Sequence, residues 1–185
     1  EEAIGAEMIS YRLRELLHSG KRKLPLISAG CPSILNLIQI RFPNLMEHVV
    51  DYRPPVEVVA SMARREAERR HPDKKVGIFF IAPCTAKISF IKESDEVVDS
   101  DIDKMIAISD IYKQILQNLE ELKGEEIEDL EKAGMTGLRW PSPGGESLSL
   151  QTDDFVAVDG IDKVIDIFEK IEDEKLDGLA FVETE

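Results

Sequence analysis

Cysteine is scarce in this chain: its 185 residues hold two, Cys31 and Cys84, with no CxxC. That excludes a small disulfide-held fold, and in the cytoplasmic setting expected here a disulfide between them is not expected either. No apolar run approaches the roughly 20 residues needed to cross a bilayer, and the N-terminal EEAIGAEM lacks the basic start and apolar centre of a signal peptide. The sequence therefore reads as cytoplasmic, with no membrane partner. Basic residues run short in the second half. Residues 1–92 carry 15 basic and 10 acidic side chains and the remainder 8 and 27, so the halves stand at +5 and -19. Nucleic acid is not expected as a partner, because phosphate binding needs clustered Lys and Arg. The one basic cluster, RREAERRHPDKK from Arg64 to Lys75, reads as a solvated helix face.

What is present is ordinary globular material, 43% hydrophobic, enough for a single α/β domain over 1–185. Ile4, Met8, Tyr11 and Leu16 space an amphipathic helix ending near Gly20, and LPLIS (24–28) has strand length. From Pro32 the run Ile34, Leu35, Leu37, Ile38 and Ile40 predicts a largely buried helix, with proline suited to its first turn. Pro54 and Pro55 open another, with Val56, Val59, Ala60, Ala63 and Ala67 on one face. VGIFFIA (76–82), apolar at every position but glycine, reads as a buried central strand. MIAIS (105–109) predicts a third strand, and Ser109 and Asp110 can cap a helix carrying Ile111, Ile115, Leu116, Leu119 and Leu122, stopping near Gly124. The segment 125–151 reads as a possible short helix followed by a mobile Gly, Ser and Pro-rich loop. FVAV (155–158), DGIDKVIDIFEKIE with Ile161, Val164, Ile165, Phe168 and Ile171 inward, and LAFVE (179–183) add strand, helix and strand. Repeated strand then helix predicts an α/β fold: a mostly parallel sheet flanked by helices in a Rossmann-like three-layer arrangement.

In such a sheet the carboxyl ends of the strands line one rim, where α/β proteins bind ligands. Cys31 and Cys84 each follow a predicted strand, so they could approach one another there. Cys31 also sits at a predicted helix N-terminus, whose partial positive charge favours thiolate. Three readings stay open on spacing alone: buried packing, a reactive thiol, and a metal ligand. A nucleophile would want a nearby base, and His18, His48 and His71 have no clear claim to this rim. A metal site usually takes four ligands, and two thiolates supply half. The chain begins without Met and stops at FVETE just after a predicted strand, as an excised lobe of a larger protein would.

SAGCPS (28–33) and APCTAK (82–87) resemble two motifs that hold the catalytic iron cluster in iron-only hydrogenases. PLISAGCPSILNLIQIRFPNL, KVGIFFIAPCTAKISFIK, MIAISDIY and the closing DGIDKVIDIFEKIE with LAFVE extend the likeness to hydrogenase-like bacterial proteins over roughly Gly5 to Glu183. The resemblance implies one lobe of an iron-sulfur protein, from the family formed by the C-terminal domain of the iron-only hydrogenase large chain. In that family two further cysteines follow the last of these strands, and four thiolates hold a 4Fe-4S cluster. Carried over by motif, Cys31 and Cys84 are metal and cofactor ligands, and Lys87 matches the lysine that contacts the diatomic ligands of the di-iron unit. In this fragment the 4Fe-4S cluster is expected to be absent or incomplete. Active hydrogenases have two adjacent cysteines in the first motif, the earlier relaying protons, where this chain has Gly30; they usually have Met where it has Ala82. A glycine cannot donate a proton, so fast hydrogen turnover is not expected, whereas cluster binding needs neither residue.

The function implied is electron transfer or redox sensing by a cluster-binding lobe, with the remaining domain of the same chain and a ferredoxin-like electron carrier as partners. A functional iron-only hydrogenase fragment and a cofactor-free protein-interaction domain are the alternatives. Three other features take bland readings. PSPGGES (141–147) lacks the GxxxxGK[ST] pattern and reads as a plain flexible loop. Asp99, Asp101 and Asp103 lack the Gly and Glu of a calcium loop and read as an exposed acidic connection. Trp140 reads as a plug over the core.

Overall fold

A computed structural model describes residues 2–93, 100–121 and 133–184. In chain order the elements are α1 (Glu2–His18), β1 (Leu26–Ile27), α2 (Pro32–Arg41), a 3-10 turn (Pro43–Glu47), α3 (Pro55–Arg70), β2 (Phe79–Ala82), α4 (Thr85–Glu93), β3 (Lys104–Ala107), α5 (Ile108–Glu121), α6 (Met135–Arg139), α7 (Gly145–Ser149), β4 (Phe155–Val158), α8 (Ile161–Glu172) and β5 (Phe181–Thr184). They fall into two compact units, one of Glu1–Pro55 with Ala133–Glu185, the other Val56–Lys132.

The first unit is built on a parallel sheet in the order β1-β5-β4, with Leu26 opposite Phe181 and Phe155 opposite Phe181 on its other side. A single bridge from Ile27 to Val49 lengthens the edge beyond β1. Strand alternation sends Ile27 and Val182 to one face, where α2 and α8 meet them: Ile34, Ile38, Phe42, Leu45, Val164, Phe168 and Ile171 close a core with them. Phe42 and Phe168 pack edge to face at 5.5 Å, the geometry their ring quadrupoles favour. The opposite alternation buries Leu26 and Phe181, and α7 packs against β4 and β5. Beside it α6 lies on α1, and Gly137 makes that possible, because a Cβ there would collide with the Ala3 carbonyl.

The second unit pairs β2 with β3 in parallel, Phe79 opposite Lys104 through Ala82 opposite Ala107. Arg64 of α3 fastens the loops that enter both strands. Its Nη2 donates to the Asp101 carbonyl at 3.0 Å and to Asp103 Oδ2 at 2.7 Å, and that same oxygen accepts the Ile78 N–H at 2.6 Å. Glu57, also on α3, accepts from Ser100 Oγ at 2.7 Å and from the Asp101 N–H. Asp101 and Asp103 are thus fixing points for the strand entry, and Asp99 lies outside the described residues. Further along α3 the basic cluster is solvated as its sequence implies. Exposed Glu66 is gripped by Arg69 and Arg70, whose hydrogen bonds hold its carboxyl down to about 2.

Parallel strands flanked by helices are as the sequence predicts, but among the described residues the strands form two sheets rather than one. The VGIFFIA strand is also less buried than its composition implies. Phe79 is 57% and Ile81 45% exposed, and among the described residues β2 pairs with β3 alone. A continuous apolar run reads alike for a central strand and for one with an open face; here the strands buried at every position are β1 and β5. Ile161 is exposed at the start of α8 instead of inward. The larger departure is PSPGGES. Its second half is no mobile loop but the buried turn of α7, with Gly144 at φ +77°, Glu146 4% exposed and Ser147 fully buried. Residues 122–132, which include Leu122, Gly124 and the start of the 125–151 segment, lie outside the described residues.

Candidate functional site

Each cysteine sits at the same local position, the residue that caps a helix following a parallel strand. Four residues past β1, Cys31 is the N-cap of α2, extended at φ -113° and ψ 114°, with Pro32 next. Its carbonyl accepts the Leu35 N–H at 3.1 Å, the first i to i+4 bond of the helix. Two residues past β2, Cys84 precedes Thr85 of α4, and its carbonyl accepts the Ile88 N–H at 3.4 Å. Both thiols are free and half-buried. The Cys31 sulfur makes no capping hydrogen bond and packs against the core of the first unit. A helix N-terminus gathers unpaired N–H groups and partial positive charge, which favours an anionic sulfur.

Lys87 lies three residues after Cys84, so the first turn of α4 carries both side chains on one face. The fold thus joins Cys84 to Lys87, whereas Cys31 belongs to the other unit. Among the described residues no group of three or more His, Cys, Asp or Glu is placed to hold a metal ion.

Around the Cys31 turn stands a buried polar network that sequence reasoning missed. Ser28, the first residue after β1, donates from Oγ to Glu146 Oε2 at 2.5 Å and accepts the Gly30 N–H at 3.2 Å. Tyr52, its hydroxyl turned inward, donates to Glu146 Oε1 at 2.8 Å. Burial and the adjacent Glu146 charge push the Tyr52 hydroxyl well above its ordinary value. Glu183 of β5, 3% exposed, accepts the Ser147 N–H at 2.8 Å. Two signals could have pointed here: a carboxylate embedded in the apolar FVET strand, which needs a partner once buried, and the double glycine before Glu146. Gly145 in particular is obligatory, because a Cβ would enter the Arg139 carbonyl.

Gly30 is different. A Cβ there would meet only Ser28 Oγ, at 3.4 Å, an ordinary contact. Neither backbone nor packing requires glycine at this position. Of the first unit's histidines, His18 is an exposed side chain bonded within α1, and His48 lies at the amino end of β1, bonded to Pro25; His71, in the second unit, is exposed. Trp140, half-buried, ends α6.

No helix of the described chain is long and apolar enough to cross a membrane. No curated protein matches the chain in sequence. Solved structures do. A variant of the [FeFe]-hydrogenase HydA1 from Chlamydomonas reinhardtii aligns at TM-score 0.62 and 17% identity, over 99% of this chain and 64% of that one. A structure describing oxygen inactivation of an [FeFe]-hydrogenase through its H cluster 2Fe subcluster aligns at 0.63 and 16%, again over 99% and 64%. One describing stepwise H-cluster assembly in HydA aligns at 0.61 and 17%, with the same coverage. The chain therefore spans 64% of the length of the hydrogenase chains it matches, and at these identities the likeness establishes the fold. Residues 1–151, which hold both cysteine motifs, match the family described as iron only hydrogenase large subunit, C-terminal domain, and the chain belongs to that family.

Proposed function

We propose that this chain is the cluster-binding lobe of a hydrogenase-like protein that works in electron transfer or redox sensing without hydrogen turnover. The observation that carries the reading is the matched setting of Cys31 and Cys84: free, half-buried thiols, each at the start of a helix that follows a parallel strand, within the residues that match the family. Thiolates are the donors iron-sulfur clusters take, so the donor chemistry fits, and two of the usual four ligands are here. The others would come from elsewhere in the natural protein, whose remaining domain is the first partner and a ferredoxin-like carrier the second. When bound, a 4Fe-4S cluster supplies one-electron chemistry.

This chain's own residues would do the rest. Cys31 and Cys84 hold metal from helix N-termini that favour thiolate. Ser28, anchored on Glu146, fixes the turn that presents Cys31. Lys87 stands one turn from Cys84, where a cation can face a ligand of the centre. Gly30 offers no group to carry a proton, which is the argument against turnover.

The test is iron and acid-labile sulfide in the natural full-length protein, reconstituted without oxygen, beside its Cys31→Ser and Cys84→Ser variants. About four irons and four sulfides per chain, lost in both variants, is the expected result. Iron unaffected by either change, or no iron at all, overturns the cluster reading. Sustained hydrogen evolution from a reduced mediator by the fully matured protein overturns the non-enzymatic part alone.

A further inference from the structure

The opposite rim of the first unit carries a cavity of about 310 Å³, at the low end for small-molecule sites. Leu24 and Pro25, which lead into β1, and Leu176 and Asp177, before β5, are among its walls. It therefore opens at the amino ends of the parallel strands, remote along each strand from Ser28 and Cys31.

One wall of this cavity is His48, only 4% exposed. Its Nδ1 lies 2.8 Å from the Pro25 carbonyl. A carbonyl can only accept, so Nδ1 carries the hydrogen, and Nε2 of the neutral ring is left as an acceptor. Among the described residues nothing donates to Nε2. It is absent from the fully buried atoms that lack a partner, and His48 is one of the residues that line the cavity.

Charge at the cavity is unbalanced. Lys23 is its one lysine, and Nζ is held 2.5 Å from Glu47 Oε1. Glu172 has only a long contact from Asn44, at 3.4 Å. The Glu174 and Asp177 side chains have no ion pair or hydrogen bond among the described residues. With Lys23 and Glu47 cancelling, three carboxylates and a buried acceptor remain, and the lining residues include no other lysine or arginine. An occupant that satisfies this lining brings positive charge and N–H donors. Since no three metal-ligating groups converge among the described residues, several spread donors suit the site better than a single metal ion.

We propose that this cavity binds a small organic cation bearing guanidinium or amine groups, with one N–H donated to His48 Nε2 and the charge set against Glu174 and Asp177. The site is independent of the cysteines and stands whether or not the chain holds a cluster.

The probe is agmatine, which has a guanidinium at one end and an amine at the other, titrated into the full chain by calorimetry and by amide chemical shifts. Expected is one site per chain, with shifts centred on residues 23–25, 44–48 and 171–177. Glu174→Gln with Asp177→Asn, at exposed positions where folding is not at stake, weakens binding by about tenfold or more, as loss of charged hydrogen-bond partners does. His48→Asn, whose amide can still donate to Pro25 but offers no Nε2, weakens it comparably. Putrescine binds, and glutarate, an anion of similar size, does not. The proposal is overturned if agmatine leaves the shifts unchanged, if the double variant binds it as the parent does, or if glutarate binds equally well.

Discussion

Ser28 Oγ lies 2.5 Å from Glu146 Oε2, joining residues 118 positions apart in the chain. The bond links the end of β1 to the α7 turn, and the Tyr52 hydroxyl closes on the other carboxylate oxygen at 2.8 Å. Glu146→Ala would leave two inward hydroxyls without their acceptor, and each orphaned buried donor costs about 1–3 kcal/mol. The variant is expected to lose about 2–6 kcal/mol in urea unfolding at an unchanged slope. Glu146→Gln, which keeps one acceptor and the shape, loses less. Equal losses in the two variants would mean that side-chain volume, and not hydrogen bonding, is what Glu146 contributes.

Tyr52 yields a prediction at alkaline pH. Burial, first, and the neighbouring Glu146 charge raise its folded-state pKa well above its unfolded value. The stability this contributes is fully present below the unfolded value, about 10 for tyrosine, and is lost as pH rises through the folded one. The Tyr52 share of the tyrosinate absorbance is therefore expected late, together with loss of helical circular dichroism, and Tyr52→Phe removes that late phase. In Glu146→Gln, with the negative charge gone, Tyr52 ionises at lower pH than in the parent. No change in its titration there would put the shift down to burial alone.

Gly30→Cys places a second cysteine beside Cys31, the pair that the resemblance assigns to active hydrogenases. A Cβ at 30 has one neighbour, at 3.4 Å, and the backbone there is not left-handed. The variant is expected to unfold within about 0.5 kcal/mol of the parent, as substitutions that neither crowd the core nor strain the backbone do. Gly145→Ala, whose Cβ would enter the Arg139 carbonyl, is the contrast and should lose several times more. If Gly30→Cys were as damaging as Gly145→Ala, the glycine would be structural and its presence would say nothing about proton transfer.

Much of the first unit was readable from residues because its signals are local. The apolar spacing of Val164, Phe168 and Ile171 defines the buried side of α8, FVAV coincides with β4, and Pro32 starts α2 as its fixed φ and missing N–H suit it to do. Cys31 and Cys84 drew attention because each follows a predicted strand, but only Cys31 was read at a helix start; α4, which follows Cys84, went unread. What stayed hidden depends on partners distant in the chain. Glu146 looks like one more acid in a polar stretch until Ser28 and Tyr52 close on it. The apolar run through Phe79 and Ile81 cannot state how many neighbours its strand has. Asp101 and Asp103 resembled a loose acidic connection because Arg64, the group they hold, lies more than thirty residues earlier.

That clasp is itself testable by pH. Arg64 reaches the Asp101 carbonyl, Asp101 Oδ1 at 3.4 Å and Asp103 Oδ2 at 2.7 Å, a planar, multi-donor arrangement that a point charge such as lysine does not reproduce. The Ile78 N–H, first, and Arg64 hold the Asp103 carboxyl below its ordinary value. A lowered carboxylate contributes stability that is present above its unfolded pKa and lost as pH falls through the folded one. Arg64→Met, which keeps the apolar stem, is therefore expected to melt below the parent at neutral pH, and the gap should narrow as the solution is acidified and Asp103 protonates in both proteins. Arg64→Lys should fall between them at neutral pH. A gap between Arg64→Met and the parent that stays constant from neutral into acid would assign the contribution of Arg64 to its backbone carbonyl bonds instead of its carboxylate partners, because only the latter are silenced by protons.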